Sequence, residues 1–221
     1  MARWITLSSA ALVAATGIAA PASAVFPGRN GRLALSAETR FGGSAQNAVL
    51  WDYSPSSHKR RQLTKRGASC RLESSTSFAD DWVDGGPDYS PDGRWIAYLH
   101  ADNCPGAESR EGLWIMRANG SETRRLAAIS LYGVNIVNGL ETAFSPDALS
   151  VALIHDVAGS SGENALTVFD ASDGAIQQQV TLQKLGGQSG LDWGTNGRLV
   201  ASLADIGSQT PRLYVMSRNG G

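Results

Sequence analysis

The stretch YSPDGRWIAYLHAD, beginning at Tyr89, returns 55 residues later as FSPDALSVALIHDV at Phe144, and 49 residues after that as WGTNGRLVASLADI at Trp193. Each copy is an aromatic residue, a four-residue turn and an apolar run, and a shorter copy, GRNGRLALSAE, starts at Gly28. A second segment follows each one: VLWDYSPSSHKRRQLT, GLWIMRANGSETRRLA, ALTVFDASDGAIQQQVTL and RLYVMSRNGG. Leu50, Leu113, Leu166 and Leu213 mark equivalent points, separated by 63, 53 and 47 residues. That spread is expected when loops of varying length join a constant unit.

The unit has a physical reading. Pro91 presets φ for the second position of a turn, and Gly93 supplies the positive φ needed to leave it. Ser90 and Asp92 are then turn residues whose oxygens bond nearby amides, as are Ser145, Pro146 and Asp147 in the third copy and Asn196 with Gly197 in the fourth. The runs RWIAYL and LWIM lack the strict alternation of a half-wet strand, so they read as strands buried on both faces. The segments RANGSE and ASDGA supply hairpin turns, and polar outer strands such as TRRLA complete four antiparallel strands. Such sheets bury both faces by stacking around an axis. One segment, AIQQQVTLQKL, is ambiguous between strand and helix.

The pairing of YSPDGRWIAY with LWIMRANGSETRRL resembles the repeat of TolB-like β-propellers, also described as WD40-like or PD40 repeats. The resemblance extends over copies at about 26–68, 85–128, 141–183 and 190–221. It implies an all-β propeller of four-stranded antiparallel blades. Propellers of this kind have about six blades; here there are about four, and the last stops at VMSRNGG, where its outermost strand is due. The expectation is therefore a partial or open propeller, from a truncated chain or one whose ends need a partner. By resemblance the function is that of a periplasmic interaction platform, a ligand-binding module or an accessory domain of a peptidase.

The first 24 residues read as an export signal: Arg3, an apolar and small-residue run, then ASA at Ala22 to Ala24. Cleavage after Ala24 leaves residues 25–221 as a periplasmic or extracellular protein. Position 25 is Val, so a lipid-anchored signal has no thiol to modify, and no later run is long and apolar enough to span a bilayer. Lys and Arg total 19 against 20 Asp and Glu. That balance provides no basic field for a nucleic acid. In an oxidising compartment Cys70 and Cys104 read as a disulfide, since two thiols 34 positions apart offer no clustered metal-ligand set.

A triad of Ser90, His100 and Asp92 needs groups from opposite ends of one strand to converge, and no G-x-S-x-G elbow is present. His100 and His155 share one repeat position, and with Asp102 and Asp156 they form a candidate metal set; the plainer reading makes them rim residues bonded to loop backbone. The segment FADDWVDGGPD, with Asp80, Asp81, Asp84 and Asp88, reads as a solvated acidic loop rather than a calcium site, and HKRRQLTKR as a solvated basic edge. The expectation is thus a non-catalytic, cofactor-free exported propeller that meets a protein or envelope component. The alternative is a propeller that binds a carbohydrate or small ligand, as part of a secreted hydrolase.

Overall fold

A computed structural model of the chain describes residues 32–38, 48–65, 82–102, 110–129, 131, 140–157, 164–182, 185–205 and 210–217. The export signal and both cysteines, Cys70 and Cys104, lie outside the described residues. Among the described residues fourteen strands follow in order: β1 (Leu33–Glu38), β2 (Ala48–Ser54), β3 (Lys59–Gln62), β4 (Trp82–Tyr89), β5 (Trp95–Asp102), β6 (Gly112–Arg117), β7 (Arg124–Ala128), β8 (Thr142–Phe144), β9 (Ser150–Asp156), β10 (Asn164–Asp170), β11 (Ile176–Leu182), β12 (Leu185–Trp193), β13 (Arg198–Asp205) and β14 (Pro211–Ser217). No helix occurs among the described residues.

Consecutive strands pair antiparallel into four blades: β1 to β3, β4 to β7, β8 to β11 and β12 to β14. One parallel pair, Ala48 with Val83, joins the first blade to the second. The fold is an all-β, partial or open propeller. The ambiguous AIQQQVTLQKL segment holds a strand, β11, over Ile176–Leu182, and the first strand of the second blade is β4.

The unbroken apolar runs are explained by stacking. Successive side chains of a strand point to opposite faces. On β5, Ile96 and Tyr98 pack with Leu50 of the first blade, whereas Ala97 and Leu99 pack with Phe144, Val151 and Leu153 of the third. On β9 the division repeats one blade on: Val151 and Leu153 face the second blade, and Ala152 and Ile154 face Leu191, Leu199 and Leu203 of the fourth. Burying each such leucine or isoleucine contributes roughly 2 kcal/mol, so both faces of the central blades stabilise the stack.

The turns behave as the sequence implies. The Gly93 amide donates to the Ser90 carbonyl at 2.7 Å, and Gly93 has φ +69°. Ala148 holds the same place in the third blade and is forced to φ +61°, a conformation a side chain disfavours. The fourth copy keeps the turn with Gly197 at +76° and the Asn196 side chain accepting the Arg198 amide at 3.0 Å.

Blades also lean on one another through a repeated contact. The turn between β6 and β7 rests on the first blade, where a Cβ at Gly120 would lie 3.2 Å from the Leu63 carbonyl oxygen. The turn between β10 and β11 rests on the second, where a Cβ at Gly174 would lie 1.8 Å from the Leu126 carbonyl oxygen. An arginine secures each: Arg61 donates to the Ala118 carbonyl at 2.9 Å, and Arg124 to the Ala171 carbonyl at 2.9 Å. Arg61 is thus not merely part of a solvated edge.

Candidate functional site

The nucleophile-like Ser90 is fully engaged in its turn. Its hydroxyl donates to Asp92 Oδ1 at 2.6 Å and accepts the Trp95 amide at 2.9 Å, and Asp92 Oδ1 also accepts the Arg94 amide at 3.0 Å. Burial opposes ionisation of Asp92, but the Ser90 hydroxyl and the Arg94 amide outweigh it and hold the carboxyl below its ordinary value. Ser145 and Asp147 repeat the pattern: the Ser145 hydroxyl donates to Asp147 at 2.5 Å and accepts the Ser150 amide at 2.9 Å. His100 lies toward the far end of β5 from this turn, so the three groups form no triad.

His100 is instead clamped elsewhere. Its Nδ1 lies 2.7 Å from Asp84 Oδ1 and its Nε2 3.4 Å from Asp102 Oδ2, with the imidazole 4% exposed. Both ring nitrogens face carboxylates, which leaves neither presented to a substrate. Arg110 backs Asp102, donating its Nε to Oδ2 at 2.8 Å and its amide to Oδ1 at 3.2 Å. Burial raises the Asp102 pKa, but these Arg110 donors and the nearby His100 prevail and hold it low. The Trp114 ring meets His100 edge to face, with centroids 5.3 Å apart.

This arrangement corrects two expectations. Asp84 and Asp88 are not in a solvated loop: they belong to β4, the innermost strand of the second blade, and Asp84 is 1% exposed. His100 is not a rim residue on loop backbone either, because strand register delivers Asp84 opposite it. His155, the equivalent residue of the third blade, bonds within the sheet rather than to loop backbone: Nδ1 lies 2.9 Å from the carbonyl of Asp156, the last residue of β9, and Nε2 3.0 Å from the Thr167 hydroxyl on β10. The two histidines thus serve separate networks. Among the described residues no group of three or more His, Cys, Asp or Glu side chains is placed to hold a metal ion.

The His100 network forms one wall of a cleft between the first two blades. The cleft has a volume of ≈ 360 Å³, and Leu63, Lys65, Tyr98, Arg110, Trp114 and Thr123 are among the residues that line it. Thr64 anchors the strand exit that carries Lys65, accepting the Leu50 amide on its hydroxyl at 2.9 Å. Trp114 is oriented by its Nε1, which donates to the Arg110 carbonyl at 3.0 Å. Tyr98 is 3% exposed and lines the cleft, and no hydrogen bond engages its hydroxyl among the described residues. Burial, and then the Asp84 charge, push the Tyr98 pKa up, so the phenol stays a proton donor.

Two further polar groups were not legible from motifs. Asp52, 0% exposed on β2, is bound by Arg32, by Arg61 at 2.8 Å and by the Tyr89 hydroxyl at 3.2 Å, which ties the second blade to the first. Asp88 accepts the Phe144 amide of the third blade at 2.7 Å.

No family model matches the chain, and no curated protein sequence matches it. Solved structures do match its fold. TolB from Acinetobacter baumannii superposes with a TM-score of 0.56 at 15% identity over 86% of this chain and 39% of that one. A Pyrococcus horikoshii acylaminoacyl peptidase matches at 0.52 and 10% identity, over 84% and 29%. An oligogalacturonate lyase in complex with manganese matches at 0.50 and 16% identity, over 80% and 42%. The chain therefore spans less than half the length of each of these proteins. The class they define is the β-propeller, and the fold is TolB-like.

Proposed function

We propose that this chain is a non-catalytic binding propeller of the periplasm or extracellular space, and that the cleft between its first two blades takes a small ligand. The observation that carries this reading is Tyr98, a buried residue lining the cleft whose hydroxyl no hydrogen bond engages among the described residues, beside a histidine already clamped by Asp84 and Asp102. A volume of ≈ 360 Å³ suits a small molecule. The absence of a usable nucleophile at Ser90 supports a binding rather than a catalytic role. Amide shift mapping with a mixed set of small fragments tests it. Shifts gathered at Leu63–Lys65, Tyr98 and Trp114 are expected; a fragment set that leaves these amides unmoved, or turnover that Ser90→Ala abolishes, overturns it.

A second reading, contact with a protein or envelope component, is favoured by exposed apolar side chains on the terminal blades: Leu33 and Leu35 on β1, and Leu213 and Val215 on β14. A photo-crosslinker placed at Leu213 that captures no protein in cells would remove it. For export, a Cys70–Cys104 bridge is expected, and titration of the unreduced, denatured protein checks it, since two reactive thiols would contradict the bridge.

A further inference from the structure

The cleft carries groups that narrow its ligand, and the following rests on the reading of that cleft as a binding site. Lys65 is exposed at its edge, and no hydrogen bond or ion pair engages its ammonium among the described residues. Asp102 is ion-paired with Arg110, and Asp84 is hydrogen-bonded to His100. An exposed ammonium at the cleft edge, engaged by neither carboxylate, attracts an anion. The remaining surface is mainly apolar, formed by Leu63, the Trp114 ring and the aliphatic stem of Lys65. Tyr98 also lines the cleft and offers a hydroxyl donor that no hydrogen bond engages among the described residues, which favours a ligand oxygen over hydrocarbon.

We propose that the cleft selects a small carboxylic acid with an apolar body, its carboxylate against Lys65, its body against Trp114 and Leu63, and an oxygen of the ligand on the Tyr98 hydroxyl. A cationic ligand meets the unpaired Lys65 and is disfavoured. A neutral one of the same shape leaves the ammonium unmatched and binds less tightly.

Three probes with one body and different charge separate the possibilities: 4-hydroxybenzoate, 4-hydroxybenzamide and 4-hydroxybenzylamine, each titrated into the whole exported chain with amide shifts and calorimetry as readouts. The expected order is acid, then amide, then amine, with the acid at least tenfold tighter than the amide. Lys65→Gln should erase that difference, whereas Lys65→Arg should keep it; Lys65 is solvent-facing, so folding is retained in both. Tyr98→Phe should weaken the acid and the amide by a similar several-fold factor. If the amide or amine moves the cleft amides as strongly as the acid, the charge selection is wrong while the cleft remains a binding site. If Lys65→Gln leaves the order unchanged, Lys65 is not its source and the proposal falls. If none of the three probes shifts the cleft amides, the proposal falls, and the fragment set of the preceding section then decides whether the cleft reading falls with it.

Discussion

The hydroxyl of Ser90 and the carboxylate of Asp92 lie 2.6 Å apart, bonded to each other inside one turn. Two residues of catalytic type are thereby converted into backbone supports, one for the Trp95 amide and one for the Arg94 amide. Ser90→Ala should lower stability by about 1–2 kcal/mol, because the Trp95 amide loses its side-chain acceptor in a buried turn. Ser145→Ala should cost a similar amount through Ser150. Urea unfolding of both variants checks this, and no change in midpoint would mean that the serines are held for another reason.

Glycine requirements differ among the repeats. Gly93→Val should destabilise by more than about 1 kcal/mol, since a β-branched residue is poorly tolerated at φ +69°. The reverse change in the third blade, Ala148→Gly, should stabilise by about 1 kcal/mol by relieving a left-handed alanine. Thermal unfolding of the pair should show opposite shifts.

Space separates Gly93 from Gly174, which has a similar φ. A Cβ at Gly93 meets nothing within 4 Å, whereas one at Gly174 would overlap the Leu126 carbonyl at 1.8 Å. Gly93→Ala should therefore cost about 1 kcal/mol from backbone conformation alone. Gly174→Ala adds a backbone collision between the second and third blades and should cost at least about 2 kcal/mol more. Equal losses on chemical denaturation would contradict the contact.

Asp88 gives the fold a pH dependence. Burial, followed by the charges of Asp192 and Glu141, pushes its carboxyl up to about 7, although the Phe144 amide works in the other direction. A folded pKa above the unfolded value near 3.8 means that the native state binds the extra proton between these limits. The associated stability is complete below about pH 4 and is lost as pH rises through about 7. Asp88→Asn, which keeps an acceptor for Phe144, should flatten this slope and stabilise the protein by about 1–2 kcal/mol at pH 8. Denaturation midpoints measured from pH 4 to 8 compare the two; parallel profiles would assign the dependence to other groups.

The repeat, the turns and the doubly buried strands were legible because each is local: Pro91, Gly93 and the run RWIAYL state their conformations within a few residues. The cleft was not, because its walls come from separated segments. Asp84 precedes His100 by 16 positions and reaches it through a β4–β5 pairing that shifts register between Gly85 and Asp88. In sequence it sits among four aspartates and looks like solvent-facing charge. Asp52 is hidden similarly, its partners Arg32, Arg61 and Tyr89 belonging to different parts of two blades. Strand register within a blade decides the Asp84–His100 and Asp52–Arg61 pairs, and contact between blades brings Tyr89 to Asp52; no short motif encodes either.

The lean of Gly120 on Leu63, and of Gly174 on Leu126, runs in one direction along the chain. Each later hairpin takes its support from an earlier sheet, and Arg61 and Arg124 extend from that earlier sheet to secure it. During synthesis from the N-terminus, a newly emerged hairpin therefore meets a landing surface that has already been translated. These blades can therefore dock in chain order, one repeat onto the last, wherever the chain emerges N-terminus first.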